Sequence, residues 1–151
     1  MDLILWRHAD AEDGFPDAAR KLTAKGHRQA AHVAAWLHQR LPSKFAIVAS
    51  PAERAQQTAR ALEAPFRTVD SLAPGATVAE ILEAADWPGR KGAVVVVGHQ
   101  PDLGRAAAWL IGGRATDLTI KKGGLWWLSN RVRDGEEGVV VRAVLSPDLT
   151  Q

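Results

Sequence analysis

The sequence predicts an α/β sandwich of three layers, with a mostly parallel central sheet, an antiparallel edge and helices on both faces. Three observations carry this expectation. Short, unbroken apolar runs stop abruptly at polar residues, as strands buried on both faces do at the edge of a sheet: residues 3–6 before Arg7-His8, residues 45–49 before Ser50, and residues 93–97, Ala93 followed by four valines, before Gly98-His99. Segments of helical spacing separate these runs. The last third changes character, with two strand-like runs, 124–129 and 139–145, on either side of the turn-like stretch Asp134-Gly135-Glu136-Glu137-Gly138, the pattern of an antiparallel pair.

Taken in order, residues 3–6 form the first strand. A polar stretch with Gly14 and Pro16 follows, and Thr23 then opens a segment in which Ala30, Val33, Ala34, Leu37 and Leu41 recur at helical spacing until Pro42 ends it. Residues 45–49 are the second strand. Ser50-Pro51-Ala52-Glu53 has the form of a capping box with proline at the first helical position, and it predicts a helix running to about Glu63. Residues 67–72 read as a third short strand, Pro74-Gly75 as a turn and 77–85 as a helix. Residues 93–97 are the clearest strand, and 101–110 the helix after it. No internal repeat or low-complexity linker interrupts this order.

A chain of 151 residues with 46% hydrophobic content suits one domain, 1–151, around one filled core. The absence of Cys excludes disulfides and Cys-based zinc or iron-sulfur sites. Nineteen Lys and Arg against 17 Asp and Glu leave a formal charge of only +2, so the basic isoelectric point owes more to the missing Tyr and Cys than to a basic surface, and no nucleic-acid partner is expected. No apolar run approaches the ~20 residues of a membrane span, and Met1-Asp2-Leu3 does not open a basic region followed by an apolar stretch. A cytoplasmic monomer without a membrane partner is the expectation.

If the strands are parallel, three strand ends deliver Arg7-His8, Ser50 with Arg54, and Gly98-His99 to one side of the sheet, where function gathers in such folds. Arg54 falls in the first turn of its helix, so its guanidinium reaches the region in front of the helix N-terminus, where the dipole favours an anion. Arginine binds phosphoryl oxygens bidentately, and histidine serves as nucleophile or proton carrier near neutral pH. Two Arg and two His in this placement describe a phosphoryl-transfer pocket. Taken singly, Arg7-His8 could be a solvated loop, residues 50–53 a helix cap and His99 a satisfied turn histidine; their convergence at three strand ends favours the pocket.

Arg7-His8-Ala9-Asp10, Ser50-Pro51-Ala52-Glu53-Arg54-Ala55-Gln56-Gln57-Thr58 and Gly98-His99-Gln100-Pro101, in this order, resemble the histidine phosphatase superfamily, whose fold is also called phosphoglycerate mutase-like. The short chain and the element Leu22-Thr23-Ala24-Lys25-Gly26 are most similar to its SixA-like phosphohistidine phosphatase branch. The resemblance runs from residue 3 to about residue 110, with the last third fitting loosely. It implies that His8 is the nucleophile accepting the phosphoryl group, that Arg7, Arg54 and His99 clamp the phosphoryl oxygens, and that no metal or other cofactor is used. Arg20 stands where the SixA-like pattern has an arginine, and either lines the pocket or is a plain surface residue. A neutral imidazole attacking phosphorus divides a hard step into two, and groups that clamp the equatorial oxygens are typically worth ~10²-fold or more each. His99 must be protonated or donate a hydrogen bond to serve as a clamp, and neighbouring arginines oppose its charging.

One departure matters. The acid phosphatase branch places an Asp directly after its second motif histidine, and here that position is Gln100. Asp10, Glu12, Asp17, Glu53 and Glu80 remain as proton donors, and nothing in their spacing selects one. A departing imidazole needs less proton assistance than an alkoxide, and residues 69–93 leave room for one helix rather than a large cap insertion. The expected substrate is therefore phosphohistidine carried on a protein; a small phosphate ester, or a non-catalytic phosphoprotein-binding module, are the alternatives. His27, His32 and His38 read as solvated helix positions, and Arg105, Arg114, Arg131 and Arg133 as scattered solvated charges. Trp6, Trp36, Trp109, Trp126 and Trp127 read as core or partial surface, with Trp126 and Trp127 on opposite faces of one strand and one of them exposed. Lys121-Lys122-Gly123-Gly124 reads as a turn, with a basic group at the pocket mouth as the alternative.

Overall fold

In the computed structural model, which describes residues 1–150, strands β1 (Asp2–Arg7) and β4 (Ala93–Gly98) lie parallel at the centre of a six-stranded sheet, in register from Asp2 opposite Ala93 to Arg7 opposite Gly98. Helix α1 (Ala24–His38) follows β1; β2 (Phe45–Ala49) pairs in parallel with β4 on its other side, and α2 (Glu53–Arg60) follows β2. A short strand β3 (Arg67–Thr68) extends the parallel part, α3 (Val78–Ala85) leads to β4, and α4 (Asp102–Gly112) follows it. Strands β5 (Leu125–Arg133) and β6 (Glu136–Leu145) close the sheet as an antiparallel hairpin, giving the order β3-β2-β4-β1-β5-β6. This is the expected α/β sandwich with an antiparallel edge. Among the described residues, no helix is long and apolar enough to cross a membrane.

Period-two alternation splits the core into two layers. Ile4, Trp6, Val95 and Val97 point to the side packed by Val33, Leu37, Ala55 and Ala59 of α1 and α2. Leu3, Leu5, Val94 and Val96 point to the other, packed by Ile81, Ala85, Leu103 and Ala107 of α3 and α4. Both central strands are therefore apolar at every inward position, which is why their runs are unbroken.

Four local expectations are corrected. Ser50 does not cap α2: its backbone N–H still donates to Val97 O (3.0 Å), so it is the last residue held by the sheet, and Ala52 is the N-cap with no side-chain bond. The reciprocal capping box lies at α3 instead, where Thr77 Oγ1 accepts from Glu80 N and Glu80 Oε1 from Thr77 N, both at 3.1 Å. Strand β3 is two residues rather than six, because the chain turns into a 3-10 helix at Asp70–Leu72 to bury Leu72. The hairpin turn is only Asp134-Gly135, both at positive φ (52° and 80°), so Glu136 and Glu137 extend β6 into solvent beyond the core. Finally, Trp126 and Trp127 do face opposite sides, but Trp126 is half-buried and Trp127 buried against Trp36; the exposed indole is Trp109.

Candidate active site

The parallel register brings the three strand ends together. His8 N donates to Gly98 O and Ser50 N to Val97 O, each at 3.0 Å, so the residues that leave β1, β2 and β4 emerge at one edge. His8, Arg54 and His99 are 7%, 5% and 3% exposed. Arg54 Nε donates to His8 Nε2 at 3.3 Å, and the two imidazole centroids are 5.2 Å apart. Thr58, one helical turn after Arg54, holds the turn after β1: its Oγ1 accepts from Ala9 N at 3.1 Å and donates to Arg54 O at 2.8 Å.

The chemistry of His8 follows from its partners. A backbone carbonyl only accepts, so the 2.7 Å contact between His8 Nδ1 and Ala9 O requires the proton on Nδ1. Nε2 then carries the lone pair and accepts from Arg54. Burial first, and then the positive charges of Arg54, Arg7 and Arg20, push the His8 pKa down to about 4, although the Ala9 carbonyl favours the charged form. At neutral pH the ring is an uncharged nucleophile with its reactive nitrogen already chosen. His99 is pushed down to about 3, by burial and then by the charges of His8 and Arg54. Its Nε2 lies 2.7 Å from Ser50 Oγ. With the Ser50 hydroxyl donating to Nε2, the neutral ring keeps its proton on Nδ1, a buried atom without a partner within the protein.

The terminal nitrogens of Arg54 are taken up by Asp17: Nη1 donates to the Asp17 backbone O (2.9 Å) and Nη2 to Oδ2 (3.1 Å). Asp17 also accepts from Arg20 Nη1 at 3.0 Å, which links Arg20 to Arg54 through one carboxylate. Hydrogen bonds from Arg20 and then Arg54 hold the Asp17 carboxyl below its ordinary range, so it is ionised and is no proton donor. Arg7 Nη1 donates to Ile120 O at 2.8 Å, and burial lowers its pKa.

The other carboxylates left open by the sequence are engaged elsewhere or lie on the surface. Asp10 accepts from Thr23 Oγ1 (2.7 Å) and pairs with Lys122 (3.1 Å), which hold its pKa down; Glu53 pairs with Arg60 (3.3 Å); Glu80 belongs to the α3 cap; Glu12 is exposed. Gln100 is tied at both ends, to Leu118 O (2.8 Å) and Gly104 N (2.7 Å). The Asp17 bridge and the Ser50 contact to His99 were not legible from spacing, though both residues stand in stretches singled out in the sequence. Asp102, also overlooked, is buried and structural, accepting from Gly75 N and Ala76 N (2.9 and 3.1 Å). His27 and His38 are exposed as expected, but His32 is half-buried on the side of α1 between core and solvent. Arg114, Arg131 and Arg133 are exposed, and Arg105 pairs with Asp117 at 2.8 Å. Among the described residues, no cluster of His, Cys, Asp and Glu is arranged to hold a metal ion.

The profile of the histidine phosphatase superfamily (branch 1) matches residues 3–109. An uncharacterized protein of a Picosynechococcus species is 38% identical over 136 residues, covering 83% of this chain and 82% of that protein. A Nakamurella multipartitia structure assigned as a phosphohistidine phosphatase SixA is 30% identical with a TM-score of 0.80, covering 97% of this chain and 95% of that one. The structure of the protein histidine phosphatase SixA complexed with tungstate has the same fold, with a TM-score of 0.79 at 22% identity over 100% of both chains.

Proposed function

Because this chain belongs to the histidine phosphatase superfamily, on its SixA-like side, we propose that it is a phosphatase that removes phosphate from phosphohistidine on a protein, through a covalent phosphohistidine at His8. The observation that carries this reading is the buried, neutral His8 whose Nδ1–H is fixed on Ala9 O, leaving Nε2 as a lone-pair donor beside Arg54. In the first step Nε2 bonds to phosphorus as the bond from phosphorus to the substrate imidazole breaks, and the departing ring takes a proton from water. In the second, water attacks the phosphorus on His8, inorganic phosphate leaves, and the ring returns to its neutral state. Arg54, Arg7 and the Nδ1–H of His99 supply charge and donors to the phosphoryl oxygens as charge builds on them. Arg20 adds positive charge at the mouth.

The preference for a phosphoramidate is supported by the carboxylates. Asp10 and Asp17 are held ionised, Glu53 pairs with Arg60, Glu80 belongs to the α3 cap, Glu12 is exposed, and Gln100 is bound at both ends, an arrangement that favours a leaving group needing little proton assistance. A protein-borne side chain is supported by the connection from β3 to β4, which holds a 3-10 turn and the eight-residue α3 rather than a cap over the site.

The test is single-turnover labelling with a phosphohistidine peptide. The wild-type protein should acquire an acid-labile phosphoryl group on His8, and His8→Ala should lose both label and turnover. Near wild-type turnover by His8→Ala would remove the proposed nucleophile. Faster cleavage of a sugar phosphate than of the peptide would assign the pocket to small esters, and tight binding with neither label nor phosphate release would make it a binding module.

A further inference from the structure

A groove of about 640 Å³ opens beside Arg7, lined by five cations, Arg7, Lys25, Arg28, Lys121 and Lys122, against one carboxylate, Asp148. It is built directly on the backbone that carries the nucleophile. Gly123 N donates to His8 O and Arg7 N to Gly124 O, both at 3.0 Å, which straps the 121–124 turn to the end of β1. On the opposite wall, Thr23 N donates to Asp10 O at 3.0 Å and Gln29 Oε1 accepts from Asp10 N at 2.9 Å, which straps the start of α1 to the same segment.

The charges of the groove are not balanced from within. Lys122 pairs with Asp10, but Lys25, Arg28 and Lys121 are exposed and have no carboxylate partner among the described residues. Lys25 also stands in the first turn of α1, which has no acidic residue there, so it opposes the helix dipole rather than complements it. Arg7 belongs to both places: its charge acts on His8, it lines the groove, and its Nε is buried with no hydrogen-bond partner.

We propose that this groove docks acidic side chains flanking the phosphorylated histidine of the protein substrate, an inference that rests on the phosphohistidine reading above. A polypeptide presenting its phosphohistidine to His8 passes Arg7, and the groove beyond is far larger than one phosphoryl group needs. Its five cations come from three separate segments, the end of β1, the start of α1 and the 121–124 turn, a spread that matches several carboxylates along a chain rather than one compact anion.

The experiment uses the full chain, wild type and the Lys25→Gln/Arg28→Gln/Lys121→Gln variant, with peptides whose histidine is flanked by Glu and Asp or by Gln and Asn. Binding of the unphosphorylated peptides is followed by fluorescence anisotropy, and turnover is measured on their phosphorylated forms and on free phosphohistidine. The wild-type protein should favour the acidic peptide by about tenfold at low salt, as expected for several exposed ion pairs acting together. The preference should lie in KM, fade with added salt, and vanish in the triple variant, whose kcat and activity on free phosphohistidine stay unchanged. Equal affinity of wild type for the two peptides, or an intact preference in the variant, overturns the proposal. So does capture of inorganic pyrophosphate with no acidic-peptide binding, which would make the groove a site for small polyanions. If neither phosphorylated peptide is hydrolysed, the phosphohistidine reading fails, and anisotropy still decides whether the groove takes an acidic segment.

Discussion

At the scale of single residues, the site is a set of competing demands on a few polar atoms. His8 spends one nitrogen on a carbonyl and keeps the other for Arg54, and Arg54 spends its outer edge on Asp17. The Asp17 carboxylate, 60% exposed, therefore competes with an incoming anion for Arg54 Nη2, while Nη1 stays on the Asp17 backbone carbonyl. Replacing Asp17 by Asn keeps an acceptor and removes the charge. The Asp17 side of this pair is open to solvent, which keeps its worth near the about 0.2–1 kcal/mol of a surface ion pair, so Asp17→Asn should tighten binding of tungstate or inorganic phosphate by up to roughly fivefold. Calorimetric titration measures this, and weaker binding in the variant would mean that Asp17 positions Arg54 for the anion instead of competing with it. The identities of His8, Arg54 and His99 were legible as residues ending strands. The partnership of Asp17 with Arg54, 37 positions apart, was not, because a surface carboxylate on a loop carries no period that marks where it will pack.

At the scale of elements, the start of α1 is what fixes the turn after β1. Thr23 caps the helix by accepting from Gly26 N at 2.9 Å, and Gly26 lies so close to this turn that an added Cβ would overlap the Asp10 carbonyl. The requirement is for close approach, since the backbone there is ordinary helix. Gly26→Ala should destabilise the protein by about 1–3 kcal/mol, as overpacking does, and should lower kcat/KM because the displaced segment carries His8. Urea unfolding and steady-state kinetics together check this; unchanged stability would mean that helix and turn slide apart freely. The main helices and strands were legible from period and apolar run length; residues 70–72, which read as strand, form a 3-10 turn instead, and the other differences fall at element ends. Ser50 reads as a cap because its local pattern satisfies one, whereas the sheet keeps its N–H on Val97 O. The hairpin turn reads wider than it is because Glu136 and Glu137 look like loop, although a hairpin that leaves the core can carry charges on both faces.

At the scale of the whole molecule, burying two histidines ties stability to pH. Their ordinary pKa in the unfolded chain is about 6.5, against about 4 for His8 and about 3 for His99 in the fold. Between these values the unfolded chain binds protons that the folded one does not, so stability falls as pH drops through 6.5 and this loss levels off near pH 3 to 4, where the folded rings also protonate. Asp10 and Asp17, whose folded pKa values are depressed, add stability that is present above the unfolded carboxyl range and is lost at lower pH. The urea midpoint should therefore decline from pH 7 to pH 5, and a His8→Asn/His99→Asn variant should show a flatter dependence over that window. Equal slopes for the two proteins would place the acid sensitivity elsewhere.

The layered sheet and the residues at its strand ends could be read from the chain because burial on a regular element imposes a period, two along a strand and near 3.6 along a helix. The alternation of Leu3 and Leu5 against Ile4 and Trp6, and the unbroken valines of β4, record that geometry in the order of residues. The bridge from Asp17 to Arg54 and Arg20, the Ser50 contact to His99, and the cationic groove gathered from the start of α1 and the 121–124 turn follow no such rule. They join exposed or loop residues far apart in the chain, whose neighbours are set by how the folded layers bring their connecting segments together.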